Sequence, residues 1–437
     1  MARKPLQYTH HVRPMSFGQL RRRSLVGASV LAFQMLLGGS LPLAAQQGPS
    51  PGPDFRRSPL DGIPTTTPRP PVEEDLPRSR PVPLMPVEIP NLGAIGLDEQ
   101  LFGPGGDRAN LLRAIDNSLR YIQTPAAATV YAGYGIPGVS RERVAASLRR
   151  FRQLVANAPS AQALQQAIAR EFLLYRSVGR DQRGEVFFTS YYEPIYRASR
   201  TRTEQFRYPL YRRPADLDRW TQPMPTREQL EGKDGRGEAS PLRGQELFWL
   251  DDRMNAFLVH IQGSARLQLP DGTVATVGYA DHNGYPYISV GRELAKDGRL
   301  PLDGMTLPVM IDYFRRNPAE LDNYLPRNSR FIFFRETYGA PATGNLGLPV
   351  TPERSIATDR AIMPAGALAL VHTSLPYRDR SGQMVYRTVS RFVLDQDTGS
   401  AMIGPGRVDY FMGTGVEAGN RAGVTGSRGS LYYLLLR

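Results

Sequence analysis

Two aspartates near the C-terminal end of the chain, Asp397 and Asp409, stand where carboxylates could do acid–base chemistry. Asp397 comes shortly after the apolar run Phe392-Val393-Leu394, and Asp409 lies between Val408 and Tyr410-Phe411. Both fall at the edges of expected strands. A carboxylate held against apolar surface has its charged form destabilised, so its pKa rises and it can stay protonated near neutral pH. A general acid needs that state. Aspartate is also a common turn residue that bonds its own backbone, and Asp397 before Thr398-Gly399 fits that description too. The same triplet occurs in aspartic proteases, whose chemistry needs two aspartates sharing a proton. No second Asp-Thr-Gly or Asp-Ser-Gly triplet occurs in the 437 residues, which leaves only a homodimer for that reading.

Composition removes other chemistries. The chain has no cysteine, which excludes thiolate catalysis, disulfides, cysteine metal sites and an acylated-cysteine anchor. Of the five histidines, His10 and His11 lie near the start, and His260, His282 and His372 show no metal-ligand spacing. No metal or cofactor is expected. Hydrophobic residues make up 41% of the chain, enough for a large core.

Residues 1–45 read as an export signal: a basic head without acids, an apolar run from Leu25 to Leu43, and a small-residue end at Ala44-Ala45. Arg22-Arg23 resembles a twin-arginine signal, and a retained membrane anchor is the alternative. That segment holds six of the 54 basic residues and none of the 41 acidic ones, so the remainder carries 48 against 41, a formal +7. Such a modest excess suits an anionic polymer and does not call for nucleic acid. Residues 46–91 contain thirteen prolines and are expected to form a disordered tether.

The elements that must position the aspartates come in two textures. From Arg108 to Ser177 the apolar spacing is helical, with Leu111, Ile115, Leu119 and Ile122, then Val144, Leu148, Phe151 and Val155, then Leu164, Ile168, Phe172 and Leu173. From Gly184 onwards short β-type runs dominate. They include Glu185–Tyr192 before Pro194, Ala256–Ile261, Ala265–Leu269 ahead of a turn at Pro270-Asp271-Gly272, and Arg330–Phe334. One helix is expected at Met305–Arg315. The last hundred residues read as almost wholly β, with runs at Ala367–His372, Thr388–Leu394, Ala401–Ile403 and Ser430–Leu436. Many short strands with Gly and Pro turns point to β-barrels.

Read together, several segments resemble the lytic murein transglycosylase A family. One is Asp397-Thr398-Gly399, Ala401, Gly404, Arg407, Asp409, Phe411, Gly413, Gly415 and Ala418-Gly419; with Asp359 upstream it matches the family's three-aspartate region. A second is Phe188-Thr189, Tyr191-Tyr192 and Pro194. A third is Phe257 to Gln262-Gly263-Ser264, followed by Gly278-Tyr279-Ala280 and Asn283-Gly284-Tyr285. The similarity runs from about residue 108 to the end. Many family members are lipoproteins, and this chain departs from them in having no cysteine.

The resemblance implies a mainly β, α+β fold with a substrate groove between two barrels. A double-psi β-barrel with N-terminal helices would comprise residues 92–194 and 337–437, and an inserted β-barrel residues 195–336. It implies an exported peptidoglycan lytic exotransglycosylase of the periplasm or cell envelope. Its partners would be glycan strands and cell-wall synthesis proteins, and the chain is expected to be a monomer. By carry-over Asp409 is the catalytic residue, Asp397 a second catalytic candidate and Asp359 a support. Thr189, Tyr191, Tyr192, Gln262, Gly263 and Ser264 are candidates for the groove wall. An expansin-like binding protein and a hydrolase giving reducing ends are the alternatives.

Overall fold

In the computed structural model, which describes residues 82–88 and 92–437, the strands sort into two sheets. In chain order they are β1 (Leu84–Val87), β2 (Phe172–Ser177), β3 (Val186–Glu193), β4 (Ile195–Ser199), β5 (Tyr208–Tyr211), β6 (Glu246–Leu250) and β7 (Ser264–Gln268). They continue with β8 (Val274–His282), β9 (Ile332–Glu336), β10 (Ser355–Ala357), β11 (Leu368–Arg378), β12 (Met384–Asp397), β13 (Arg407–Thr414) and β14 (Ser427–Leu436). The first sheet runs β1-β2-β14-β11-β12-β10-β13-β3, and β14 also pairs with β3. That extra pairing closes β14, β11, β12, β10, β13 and β3 into a barrel. The second sheet runs β5-β6-β4-β7-β8-β9, and a bridge between Arg212 and Phe334 joins its ends. Closure leaves few unpaired strand edges to manage.

Helices Arg108–Ile122, Arg141–Asn157 and Ala161–Glu171 cover the first barrel. Their apolar stripes, including Leu111, Ile115, Leu148, Phe151 and Ile168, share one core with Leu370, Phe392 and Leu434 of the strands. Ser140 and Ser160 cap two of them, each hydroxyl accepting an amide three residues on.

The structure departs from the sequence reading in several places. Phe172–Ser177 is strand β2, not the end of a helix; the run Phe172-Leu173-Leu174-Tyr175 is apolar throughout, so periodicity does not distinguish the two. Residues 253–262 form a helix where a strand at Ala256–Ile261 is expected. Asp252 caps its start, and Gly263, in the left-handed region at φ +78°, ends it. A helix at Val416–Val424 interrupts the expected β region, and residues 401–403 lie in the loop between β12 and β13, not in a strand. The expected helix at Met305–Arg315 is found at Leu307–Arg316. The turn at residues 270–272 joins β7 to β8, with Asp271 accepting from the Thr273 amide. Within the proline-rich stretch, Leu84–Val87 is strand β1 at the sheet's edge, where Pro86 need donate nothing to a neighbour. The export segment and most of that stretch lie outside the described residues. Among those described, no helix is long and apolar enough to cross a membrane.

A buried ion cluster ties the chain before the first helix to the barrel. Arg354 is wholly buried. It donates to Asp98 at 2.5 Å, to Asp107 at 2.6 Å and to the Phe392 carbonyl at 2.8 Å. Asp98 also accepts from the Phe392 amide and pairs with Arg391. Removing one member of such a cluster strands an uncompensated charge in low dielectric. Arg354→Met is therefore expected to lower the unfolding free energy by about 3–5 kcal/mol. Arg152→Ala, which breaks the exposed pair with Asp116, should change it by less than about 1 kcal/mol. Urea titrations of both variants check this.

Candidate active site

Strands β3 and β13 run parallel, with Arg407 opposite Phe187, Val408 opposite Phe188, Asp409 opposite Thr189 and Phe411 opposite Tyr191. Side chains alternate along a strand. Val186, Phe188, Val408 and Tyr410 therefore fill the barrel core, while Phe187, Thr189, Tyr191, Arg407 and Asp409 share the other face. Two of the three aspartates, Asp409 and Asp397, reach one groove of about 620 Å³. Its second wall comes from the other barrel and includes Gln262, Gly263, Ser264, Tyr279, Tyr287, Arg330 and Arg335.

The two carboxylates differ in their donors. Asp409 accepts one hydrogen bond, from the Thr189 hydroxyl at 2.8 Å. Burial, which strips water from the carboxylate, pushes its pKa up to about 6; the Thr189 bond and Arg407 pull it back, and the nearby Asp397 adds a smaller upward push. Asp397 accepts three. Tyr191 donates at 2.7 Å, the Asn345 amide at 2.8 Å and the Thr398 amide at 2.9 Å. Burial also raises its pKa, against the pull of those three donors. Asp397 thus anchors Tyr191 and the loop at Asn345, while Asp409 keeps one oxygen without a protein donor. Asp359 accepts from the amides of Ala361 and Gly404, and so holds the loop that leads into β13.

The remaining candidates divide. Thr189 orients Asp409, and Tyr191 lines the groove and packs against Phe411 with ring centres 5.0 Å apart. Gln262, Gly263 and Ser264 form the facing wall. The Tyr192 ring turns inward to the core beneath Gly419 of helix Val416–Val424. What Tyr192 gives the junction is its amide, which donates to Gln262 Oε1 at 2.9 Å. Tyr287, Arg330, Arg335 and Asp395 escaped the sequence reading. Asp395 is buried inside the barrel, accepts from the hydroxyls of Tyr433 and Thr358, and burial pushes its pKa up to about 7. Nothing local in the sequence separates it from Asp397. The histidines are dispersed: His260 accepts the Ile332 amide, His282 meets Tyr279, and His372 sits on β11. Among the described residues, no three histidine or acidic side chains are placed to hold a metal.

A family model described as the MltA specific insert domain matches residues 187–335, and one described as the 3D domain matches residues 354–435. The membrane-bound lytic murein transglycosylase A of Escherichia coli K12 is 30% identical over 259 residues, 59% of this chain and 67% of that protein. The homolog from Buchnera aphidicola is 29% identical over 252 residues, 57% of this chain and 66% of its own. The chain thus matches about two thirds of these relatives' length. Among solved structures, E. coli MltA with bound chitohexaose superposes with a TM-score of 0.60 at 26% identity, over 81% of this chain and 94% of that one. The membrane-bound lytic murein transglycosylase of Agrobacterium tumefaciens gives 0.57 at 27% identity, over 72% and 92%. By sequence and by fold, this chain belongs to the lytic murein transglycosylase A family.

Proposed function

We propose that the chain cleaves the β-1,4 bond between N-acetylmuramic acid and N-acetylglucosamine in peptidoglycan, with Asp409 as acid and then base. The reading rests on one observation above all: of the two aspartates at the groove, Asp409 alone has an oxygen free of protein donors, and burial raises its pKa to about 6. Protonated Asp409 gives its proton to the glycosidic oxygen, and the C1–O bond breaks as positive charge builds on the sugar ring. The ionised carboxylate then takes the proton of the same sugar's C6 hydroxyl as that oxygen attacks C1. A 1,6-anhydro end forms, and no water enters. The nucleophile is already attached and oriented, so little further help is needed.

A hydrolase would need a second carboxylate able to activate water or to attack C1. Asp397 fits that duty poorly, since backbone amides hold one of its oxygens and Tyr191 the other. Asp397 and Asp359 act here as positioning residues. The basic groove wall at Arg330 and Arg335 suits an anionic polymer. Export through residues 1–45 to the cell envelope, and action as a monomer, complete the reading.

Mass spectrometry of purified sacculi digested with the chain should show anhydromuropeptides. Asp409→Asn should lower their rate of release by at least about 100-fold, the scale of general acid–base catalysis. Reducing ends as the main product would instead favour a hydrolase, and full activity in the variant would move the acid elsewhere. The pH profile gives a separate check. Because the acid form of Asp409 is the active one, kcat/KM should fall as pH rises through about 6. The Thr189 bond favours the carboxylate, so Thr189→Val should move that limb to higher pH. A shift to lower pH would contradict the assigned role of Thr189.

A further inference from the structure

Beside Asp409, on the same face of β13, stands Arg407. Its guanidinium lies over the Phe187 ring at 5.0 Å and donates to Thr189 Oγ1 at 3.2 Å. Arg180 lies over the same ring at 5.9 Å. Its backbone packs so closely on Gly406 that a Cβ there would come within 2.5 Å of the Arg180 amide nitrogen. Only glycine at 406 admits this arrangement. Arg292 is close enough to act on Arg407 electrostatically, as Arg180 does. None of the three makes a side-chain ion pair among the described residues, although most arginines here are paired or bound to carbonyls. Arg180 and Arg292 both disfavour the charge on Arg407, and Asp409 is the carboxylate that favours it. When that acid is protonated, as the proposed reaction requires, the cluster has no counter-charge of its own.

We infer that Arg407, flanked by Arg180 and Arg292, is a carboxylate-recognition site beside the catalytic acid, which selects glycan bearing a carboxylate next to the scissile bond. The inference rests on the glycan reading above. On N-acetylmuramic acid the nearest carboxylate is that of the lactyl ether, free when the peptide has been removed. With the peptide attached, that group is an amide and the carboxylates belong to the stem. A guanidinium seated over an aromatic ring keeps N–H groups available in the planar fork that suits a carboxylate.

The test uses the full chain carrying Asp409→Asn, which binds without turnover, and compares three six-sugar ligands. These are uncharged chitohexaose, a peptide-free glycan with lactyl carboxylates, and the same glycan with stem peptides. At least one carboxylate-bearing ligand should bind about tenfold more tightly than chitohexaose, the scale of one charge-assisted hydrogen bond, and added salt should weaken the preference. Adding Arg407→Gln should bring the ratio to within about threefold, whatever it does to chitohexaose affinity itself. Retained chitohexaose binding shows that the variant is folded. The exposed double change Arg180→Gln/Arg292→Gln should reduce the ratio in the same direction. A preference for the peptide-free glycan assigns the lactyl group, and a preference only for the peptide-bearing one assigns the stem. Equal binding of all three ligands, or a preference that survives Arg407→Gln, overturns the inference and leaves the glycan reading standing. If none of the three ligands binds the folded protein, both readings are overturned.

Discussion

The site depends on one strand pairing, β3 with β13, and on its register. Side chains alternate along both strands, so placing Asp409 opposite Thr189 sends the acid to the groove and Val408 to the core. A slip of one residue would bury the carboxylate among Phe188 and Tyr410 and expose valine to the sugar. The pair is parallel, and a parallel pair cannot be joined by a tight turn. The chain must leave the end of β3 and return to the start of β13, and between them lie β4 to β12. The second barrel is built within that crossover. The groove's far wall is therefore a consequence of the connection that the near wall requires.

Burial alone does not single out the acid. Asp395, Asp397 and Asp409 all have raised pKa values with burial as the largest cause. They differ in donors and in access. Asp395 is sealed in the barrel with two hydroxyls on one oxygen, Asp397 has both oxygens occupied, and Asp409 opens on the groove with a single donor. A carboxylate that must lose and regain a proton needs an oxygen the substrate can reach and a charged form that is only partly stabilised. Only the third meets both conditions.

What could be read from the sequence follows from how local each signal is. Strand β3 was legible because Gly184 and Pro194 bracket an alternating run. The helix at 253–262 was not, because it is apolar on several sides. Ala256 and Val259 face the core of the second barrel, while Met254, Phe257 and Leu258 pack against the helices at 290–296 and 307–316. Such a helix carries no polar stripe, and the signals that mark it are its ends, Asp252 and Gly263. Helix Val416–Val424 was hidden because Gly419 and Gly423 weaken the helical signal, and both pack closely, on Tyr192 and Pro308. The site was harder still. Thr189 and Asp409 lie 220 residues apart, and no spacing rule joins them. Family resemblance pointed to the aspartates, but the arginine cluster and Tyr287 emerge only once the strands are paired.

The same strand also governs how the two walls meet. Past Tyr192, β3 continues through Glu193 and Pro194 directly into β4 of the second barrel. Buried Glu193 accepts from Arg266 of β7 at 2.8 Å and from Thr414 of β13 at 2.7 Å, so one carboxylate ties both barrels. Beside it the Tyr192 amide holds Gln262, and the Pro194 carbonyl accepts the Arg266 amide. Each of these bonds is made at a point where the backbone itself crosses from one barrel to the other. The two walls are thus joined by covalent continuity and four short polar contacts rather than by a surface that slides. A proton donor acting at a bond held from both sides benefits from such a frame, because dipoles fixed before the substrate arrives need not reorganise during the reaction. The junction at Glu193 therefore bears on the proposed chemistry as directly as Asp409 itself does.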